Sequence, residues 1–328
     1  MVVTGFYNRE RLVDRTIESL VNQSYENFSI IAFNDASTDG TGDRLEYYAA
    51  LHPELLKVVH HPERLGFTRG MIDAIASSDS DFIAVHGSGD VALPDRISAQ
   101  ARALSDRPQI SVVGSHYINV VEETGLERIR MPDAGTVTFE SLLKSNIFTH
   151  GEVMMRRSSY VAAGGYRPHF VNCQDLDLWL RMIKVGPFFT VPAPLYKRYI
   201  IFDGVSYDPK KAKIQWRYAI AAARIATADK LAAENMLSVL ARDGGIFELV
   251  PDDDPEFQAY AFKASLRLIA WGRTDLVNET AAVLNSDPRR YLIAAACGLA
   301  EARATRLLLA AVQRAVGVAR TEAPARGG

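Results

Sequence analysis

The chain has 328 residues, enough for more than one domain, and 48% are hydrophobic, so a sizeable core can form. Its 37 basic residues nearly balance 39 acidic ones, which gives a nucleic-acid-binding domain no electrostatic support. Cys173 and Cys297 lie far apart, arguing against a disulfide scaffold or a cysteine zinc site and fitting a reducing, cytoplasmic compartment, and no stretch approaches the roughly 20 uncharged residues of a membrane-spanning helix.

In chain order, Met1 to Phe6 reads as a buried strand from the first residue, so no leader peptide is expected. It breaks at Tyr7-Asn8, and Leu12, Ile17, Leu20 and Val21 form a helical face closed by Asn22 to Tyr25. The same grammar repeats at once. Phe28 to Phe33 is an apolar, β-branched run that opens into Asn34-Asp35-Ala36-Ser37-Thr38-Asp39-Gly40-Thr41. Ligands of open α/β sheets sit outside the carboxyl ends of the strands, which puts Asp35 in a crevice. A carboxylate there can accept the imide hydrogen of a uracil or thymine ring. The plainer reading is that Asp35, Ser37 and Thr38 cap the next helix.

Leu55 to Val59 reads as an edge-like strand, with His60-His61 as a surface loop beyond it. Gly66 to Ile75 is a helix and Phe82 to His86 a buried strand, which ends in Gly87-Ser88-Gly89-Asp90 ahead of a helix start at Pro94-Asp95-Arg96-Ile97. Ile110 to Gly114 adds one more strand. Residues 1 to about 116 therefore predict βαβ units on a mostly parallel sheet. From about 117 to 206 the pattern is mixed, with Gly164-Gly165-Tyr166 and a helix from Asp175 through Met182. Beyond Pro209 the chain predicts an α-helical domain over 207–320, with helices at roughly 210–242, 256–284 and 288–318, a hinge at Pro251 to Pro255 and a disordered tail over 321–328.

Over residues 1–206 the sequence resembles family 2 glycosyltransferases, the inverting enzymes of GT-A fold. Thr4 to Asn8 with Gln23-Ser24-Tyr25 is similar to their opening strand-helix unit, and Asn34 to Thr41 to their nucleotide-binding loop. Leu65-Gly66-Phe67-Thr68-Arg69 resembles the helix start near base and diphosphate. Val153 to Arg157, Gly164-Gly165-Tyr166 and Gln174 to Arg181 resemble the acceptor-side segment. Each motif alone is weak; together and in order they are specific.

The resemblance implies a GT-A domain (nucleotide-sugar half about 1–116, acceptor half about 117–206) that moves a sugar from a nucleotide-diphosphate donor, UDP-linked by preference, to a glycan hydroxyl with inversion. It implies Asp175 as the general base, since one carboxylate must take the acceptor proton. Thr4, Tyr7, Asn8, Asp35, Arg69 and Ser88 would line the donor site, and His150, Gln174 and Trp179 the acceptor side, with Trp179 better suited to the core. Asp177, two residues along the helix from Asp175, points elsewhere.

One motif departs from the family. Members carry Asp-any-Asp ahead of the helix start, the second carboxylate holding a divalent metal, but here those positions are Gly87 and Gly89. Three readings stay open. Asp90 inherits Mn²⁺ or Mg²⁺ as sole protein ligand; Arg64 or Arg69 neutralises the diphosphate without metal; or the protein binds nucleotide sugar without turnover. A nucleotidyltransferase is a further alternative of similar architecture, but Thr4 to Asn8 lacks its basic, glycine-rich phosphate loop. Lys197-Arg198-Tyr199 before Gly204-Val205-Ser206 resembles the family's closing stretch, a mobile loop or an ordinary edge strand. Arg289, Arg290, Arg303, Arg306, Arg314 and Arg320 offer peripheral contact with anionic lipid at the inner membrane face, or simply a solvated helix face. The helical region also offers a homo-oligomer contact.

Overall fold

The computed structural model describes residues 1–200, 208–270, 272–284 and 288–301. Among these the chain divides into two compact units, one of 1–200 with 222–233 and one of 208–221 with 234–301. The segment Gly204 to Ser206, Arg303, Arg306, Arg314, Arg320 and the tail from Thr321 lie outside the described residues.

The first unit begins with four parallel strands, β1 (Val2–Phe6), β2 (Ile30–Asn34), β3 (Leu56–His60) and β4 (Phe82–His86), in the order β3-β2-β1-β4. Every residue of β1 and β2 is buried, as parallel strands covered on both faces require. The connecting helices are α1 (Glu10–Val21), α2 (Thr41–Leu51) and α3 (Phe67–Ala76). Val13, Ile17 and Leu20 of α1 and Leu45 of α2 join Val2, Phe6, Ile30 and Ala84 in one core. The Phe33 ring is seated by two glycines, since a Cβ at Gly5 or Gly70 would come within 2.1 or 2.4 Å of it. In register, Phe6 lies level with Asn34 and Thr4 with His86, so the loops after β1, β2 and β4 open on the same edge.

The chain continues through β5 (Val91–Ala92), α4 (Arg96–Asp106), β6 (Val112–Val121), β7 (Glu127–Arg130), α5 (Phe139–Lys144), β8 (Met154–Arg156), α6 (Arg157–Ala162), α7 (Gln174–Met182) and β9 (Phe188–Ile200). β8 runs antiparallel to both β4 and β6, and the sheet extends on as β8-β6-β9-β5, with β7 paired to β6. Alternating strands and helices over the first 116 residues follow the sequence; the mixed second half rests on pairings between distant segments.

The helices after Pro209 are shorter than the periodicity suggested: α8 (Pro209–Thr227), α9 (Lys230–Leu240), α10 (Gly245–Leu249), α11 (Pro255–Ala270), α12 (Val277–Ala281) and α13 (Arg289–Glu301). The first expected helix breaks where the Asp229 carboxylate accepts from the Ala232 N–H, a cap that starts a new helix. The second breaks at Gly272, whose φ of 74° ends α11 in the left-handed region. In the second unit Ala261, Ile269, Val277, Ala281, Leu284 and Ile293 form a core. The segment 251–255 is no open hinge. Asp254 is buried and accepts from the N–H groups of Glu256 and Phe257, while Arg217 donates to the Val250 carbonyl and to Asp252. No described helix is long and apolar enough to cross a membrane.

Candidate active site

Asp35 follows β2 directly, its N–H donating to the Phe6 carbonyl, and is only 4% exposed. Its Oδ1 accepts from the Leu65 N–H at 2.8 Å and from His61 Nδ1 at 3.0 Å, and its Oδ2 accepts from the Gly66 N–H at 3.0 Å. A carboxylate offers about four acceptor positions, so about one remains for an incoming donor. Two expectations are corrected here. Asp35 does not cap α2, because Asp39 accepts from the Thr41 N–H instead. His61 is no surface residue: it is 9% exposed, stacked on Phe33 and bonded to Asp35.

Around Asp35 the strand ends converge. Asn8 accepts from the Thr38 N–H at 2.9 Å and its own N–H donates to Ser37 Oγ, tying the first loop to the second. Tyr7 is exposed, with the Arg64 guanidinium 4.0 Å above its ring. Thr4, expected to line the donor site, is fully buried within β1 and presents no side chain to the crevice. Exposed Arg69 lies in the first turn of α3. With Arg64, Gly66 and Phe67 it lines a cleft of about 480 Å³ whose opposite wall is Pro168, Val171 and Asn172.

That opposite wall leads into the acceptor-side segment. Cys173, at φ 52°, launches α7, and half-buried Asp175 lies in the helix's first turn. Asn146 Nδ2 donates to Asp175 Oδ2 at 2.7 Å, leaving Oδ1 open. Gln174 Nε2 lies 3.5 Å from His150 Nδ1, and His150 Nε2 is 2.6 Å from the Tyr166 hydroxyl. Burial pushes the His150 pKa down while the Asp175 charge pulls it back up. Trp179 belongs to the core, as its sequence setting suggests, and not to the acceptor side: it is fully buried and packed edge-on against His150 and Phe188. Asp177 is buried between Arg167 and Arg181, at 2.9 and 2.6 Å.

The two halves meet directly. Thr68 Oγ1 donates to the Phe170 carbonyl at 2.7 Å, and the Phe67 ring packs edge-on against His150 at 5.7 Å. Among the described residues, three non-glycines have positive φ: Asn8, Ala36 and Cys173. Cys173 adjoins the cleft wall at Asn172, and Asn8 and Ala36 lie on the loops after β1 and β2; strained backbone gathers where a fold holds a site in shape. Sequence reasoning missed Asn146 and the site roles of His61 and of Tyr166, which the Gly164-Gly165-Tyr166 motif places only in the acceptor-side segment. Each is ordinary in its local pattern, and its role arises only from a partner 16 to 29 residues away.

The loop Gly87–Asp90 differs from expectation. Asp90 faces inward: its Oδ2 accepts from the Tyr196 hydroxyl at 2.6 Å and its Oδ1 from the Tyr199 N–H at 2.9 Å. Burial pushes its carboxyl up to about 6, against the pull of those two donors. A Cβ at Gly87 would come within 2.4 Å of Asp90 Oδ2, so the inward carboxylate occupies space an acid at 87 would need. Gly89 has a φ of 102°, and half-exposed Ser88 stands between the glycines. Among the described residues, no cluster of three His, Cys, Asp or Glu could hold a metal. Both Asp90 oxygens are engaged by donors of the fold, and the positions of the family's paired acids are Gly87 and Gly89, a donor set that does not suit the divalent cation the resemblance implies.

Residues 1–163 match the family model for glycosyl transferase family 2. EpsE of Bacillus subtilis is 32% identical over 191 residues, covering 56% of this chain and 66% of that protein, just under two thirds of its length. The amylovoran biosynthesis glycosyltransferase AmsE of Erwinia amylovora is 26% identical over 202 residues, 60% of this chain and 74% of that protein. Among solved structures, S. aureus TarS 1-349 in complex with UDP has a TM-score of 0.56 at 18% identity, covering 90% of each chain. The Pyrobaculum calidifontis mannosyltransferase PcManGT in complex with GDP-Man and Mn²⁺ has a TM-score of 0.55 at 18% identity, covering 96% of this chain and 86% of that one. At such identities the likeness is one of fold.

Proposed function

Residues 1–163 belong to glycosyl transferase family 2, and from that premise we propose that this chain transfers a sugar from a nucleoside-diphosphate donor to a hydroxyl of a carbohydrate or lipid-linked glycan. The donor is a UDP-sugar by preference, and the anomeric centre inverts. One observation carries the reading: a continuous set of contacts joins the two carboxylates. Asp35 holds Leu65 and Gly66, Phe67 of the same helix start packs on His150, and His150 meets Gln174 beside Asp175. Amylovoran biosynthesis, which the name of AmsE states for that relative, supports a biosynthetic transfer reaction.

In this reading the remaining acceptor position of Asp35 takes an N–H of the base, and Asp175 takes the acceptor proton as its oxygen attacks the anomeric carbon. The bond from that carbon to the diphosphate oxygen breaks, and its electron pair leaves with the nucleoside diphosphate. Two local features support Asp175 as base. Asn146 fixes one of its oxygens and leaves the other free, and the start of α7 favours a negative charge. A second reading, a module that binds nucleotide sugars without turnover, is favoured by Gly87 and Gly89 in place of acids; turnover separates the two.

Calorimetry with UDP tests the donor site. Asp35→Ala should weaken UDP binding by about 1.5–3 kcal/mol, the worth of a hydrogen bond to a charged group. A folded variant that binds UDP as tightly as the wild type contradicts the assignment.

A further inference from the structure

The Gly87–Asp90 loop has glycines where the family carries acids, and two arginines, Arg15 and Arg198, lie within electrostatic reach of it. Arg15 on α1 is bound at one edge to Glu122, Nη1 to Oε1 at 2.8 Å, and its guanidinium lies 3.7 Å over the Tyr199 ring. Its Nε and Nη2 are buried without a hydrogen-bond partner, and Nη2 is 3.5 Å from where a Cβ of Gly89 would stand. On the other side is Arg198 of β9. It shares a strand face with Tyr196, whose hydroxyl is wedged against Gly87, Asp90 and Gly151. Half-buried Arg198 has no hydrogen-bond or ion-pair partner among the described residues. Both arginines act electrostatically on Asp90, so their charge reaches the loop.

A divalent cation placed here would meet the Arg198 guanidinium and, behind Gly89, Arg15 paired with Glu122, while Asp90 is turned inward onto Tyr196 and the Tyr199 N–H and Glu152 is fully buried. A diphosphate would meet the opposite field. We propose that this chain holds the diphosphate of its nucleotide donor without a divalent cation, Arg198 making the contact and Arg15, from behind Gly89, adding the second positive charge. The inference rests on the nucleotide-donor reading above. Its chemistry balances without a metal. When the sugar–oxygen bond breaks, the diphosphate gains its electron pair, and fixed guanidinium groups in a partly desolvated site can stabilise that charge. Arg15 is a positioning residue here, because its free edge is covered; Arg198 is the residue expected to touch phosphate.

The test is calorimetric titration of the full chain with UDP and with GDP, first in EDTA and then in excess Mn²⁺ or Mg²⁺. The expected result is that one of the two nucleotides binds in EDTA and that metal changes its Kd by no more than about twofold. Arg198→Gln should weaken that binding about tenfold, the loss of one charge-assisted contact. Arg198→Lys should recover part of it, and Lys197→Gln, on the opposite face and paired with Glu127, should leave it intact. Circular dichroism identifies any variant that fails to fold, and the wild-type metal comparison stands without variants. Tightening of tenfold or more by metal, or binding that vanishes in EDTA, overturns the inference and leaves the donor site standing. Normal affinity in folded Arg198→Gln overturns the role of Arg198. Failure of both nucleotides to bind in either condition overturns the nucleotide reading itself, and this inference with it.

Discussion

At the scale of the residue, the Asp90 carboxylate is engaged by two donors of its own fold, the Tyr196 hydroxyl and the Tyr199 N–H. Its folded carboxyl is pushed up to about 6 by burial, whereas an unfolded aspartate titrates near its ordinary value of about 3.9. The fold thus favours the protonated form. The stability this contributes is fully present below about pH 4 and is lost as pH rises through about 6. Asp90→Asn should remove that step, so the difference in melting temperature between wild type and variant should change between pH 4 and pH 6.5 and be flat above. A constant difference across the range contradicts the assignment. Asp35 makes the complementary point. That it would stand just past the end of a buried strand was legible, because it ends a run of apolar β-branched residues. That His61 would complete it was not, because the histidine's environment is set by a carboxylate 26 residues earlier.

Among the elements, the first four strands and their helices were legible, since each carries its own period of two or of 3.6. The order β8-β6-β9-β5 was not, because the pairing of β9 with β6 joins segments tens of residues apart. Asp229 and Gly272 break the helices that the apolar period around them predicts. The loop after β4 yields an element-scale prediction. Gly89 has a φ of 102°, and a Cβ there would meet Leu12 Cδ1 at 2.9 Å. Gly89→Asp should therefore destabilise the protein by about 1–3 kcal/mol, the cost of a side chain in a glycine-only conformation. Chemical denaturation measures this. A variant as stable as the wild type would show that the loop readily takes the conformation of an acid-bearing one.

For the molecule as a whole, the helical unit is held at its own joint. Arg217 is 4% exposed, lies 3.9 Å over the Phe257 ring and bonds to Val250 and Asp252. Arg217→Ala should cost about 2–4 kcal/mol, combining an orphaned carbonyl with a lost cation–π contact. Limited proteolysis should then cut near 251–255, where the wild type should resist; equal resistance contradicts the role given to Arg217. The account stands or falls, however, on glycosyl transfer itself. The most direct measurement is nucleoside-diphosphate release from UDP-glucose, UDP-galactose, UDP-GlcNAc and GDP-mannose with a lipid-linked glycan preparation as acceptor, comparing wild type with Asp175→Asn. The account predicts release from at least one donor, with the variant slower by about 10²–10⁴-fold, the usual worth of a general base, and with UDP affinity unchanged. Release by Asp175→Asn at the wild-type rate, or no release from any donor by a wild-type chain that binds UDP, would contradict it.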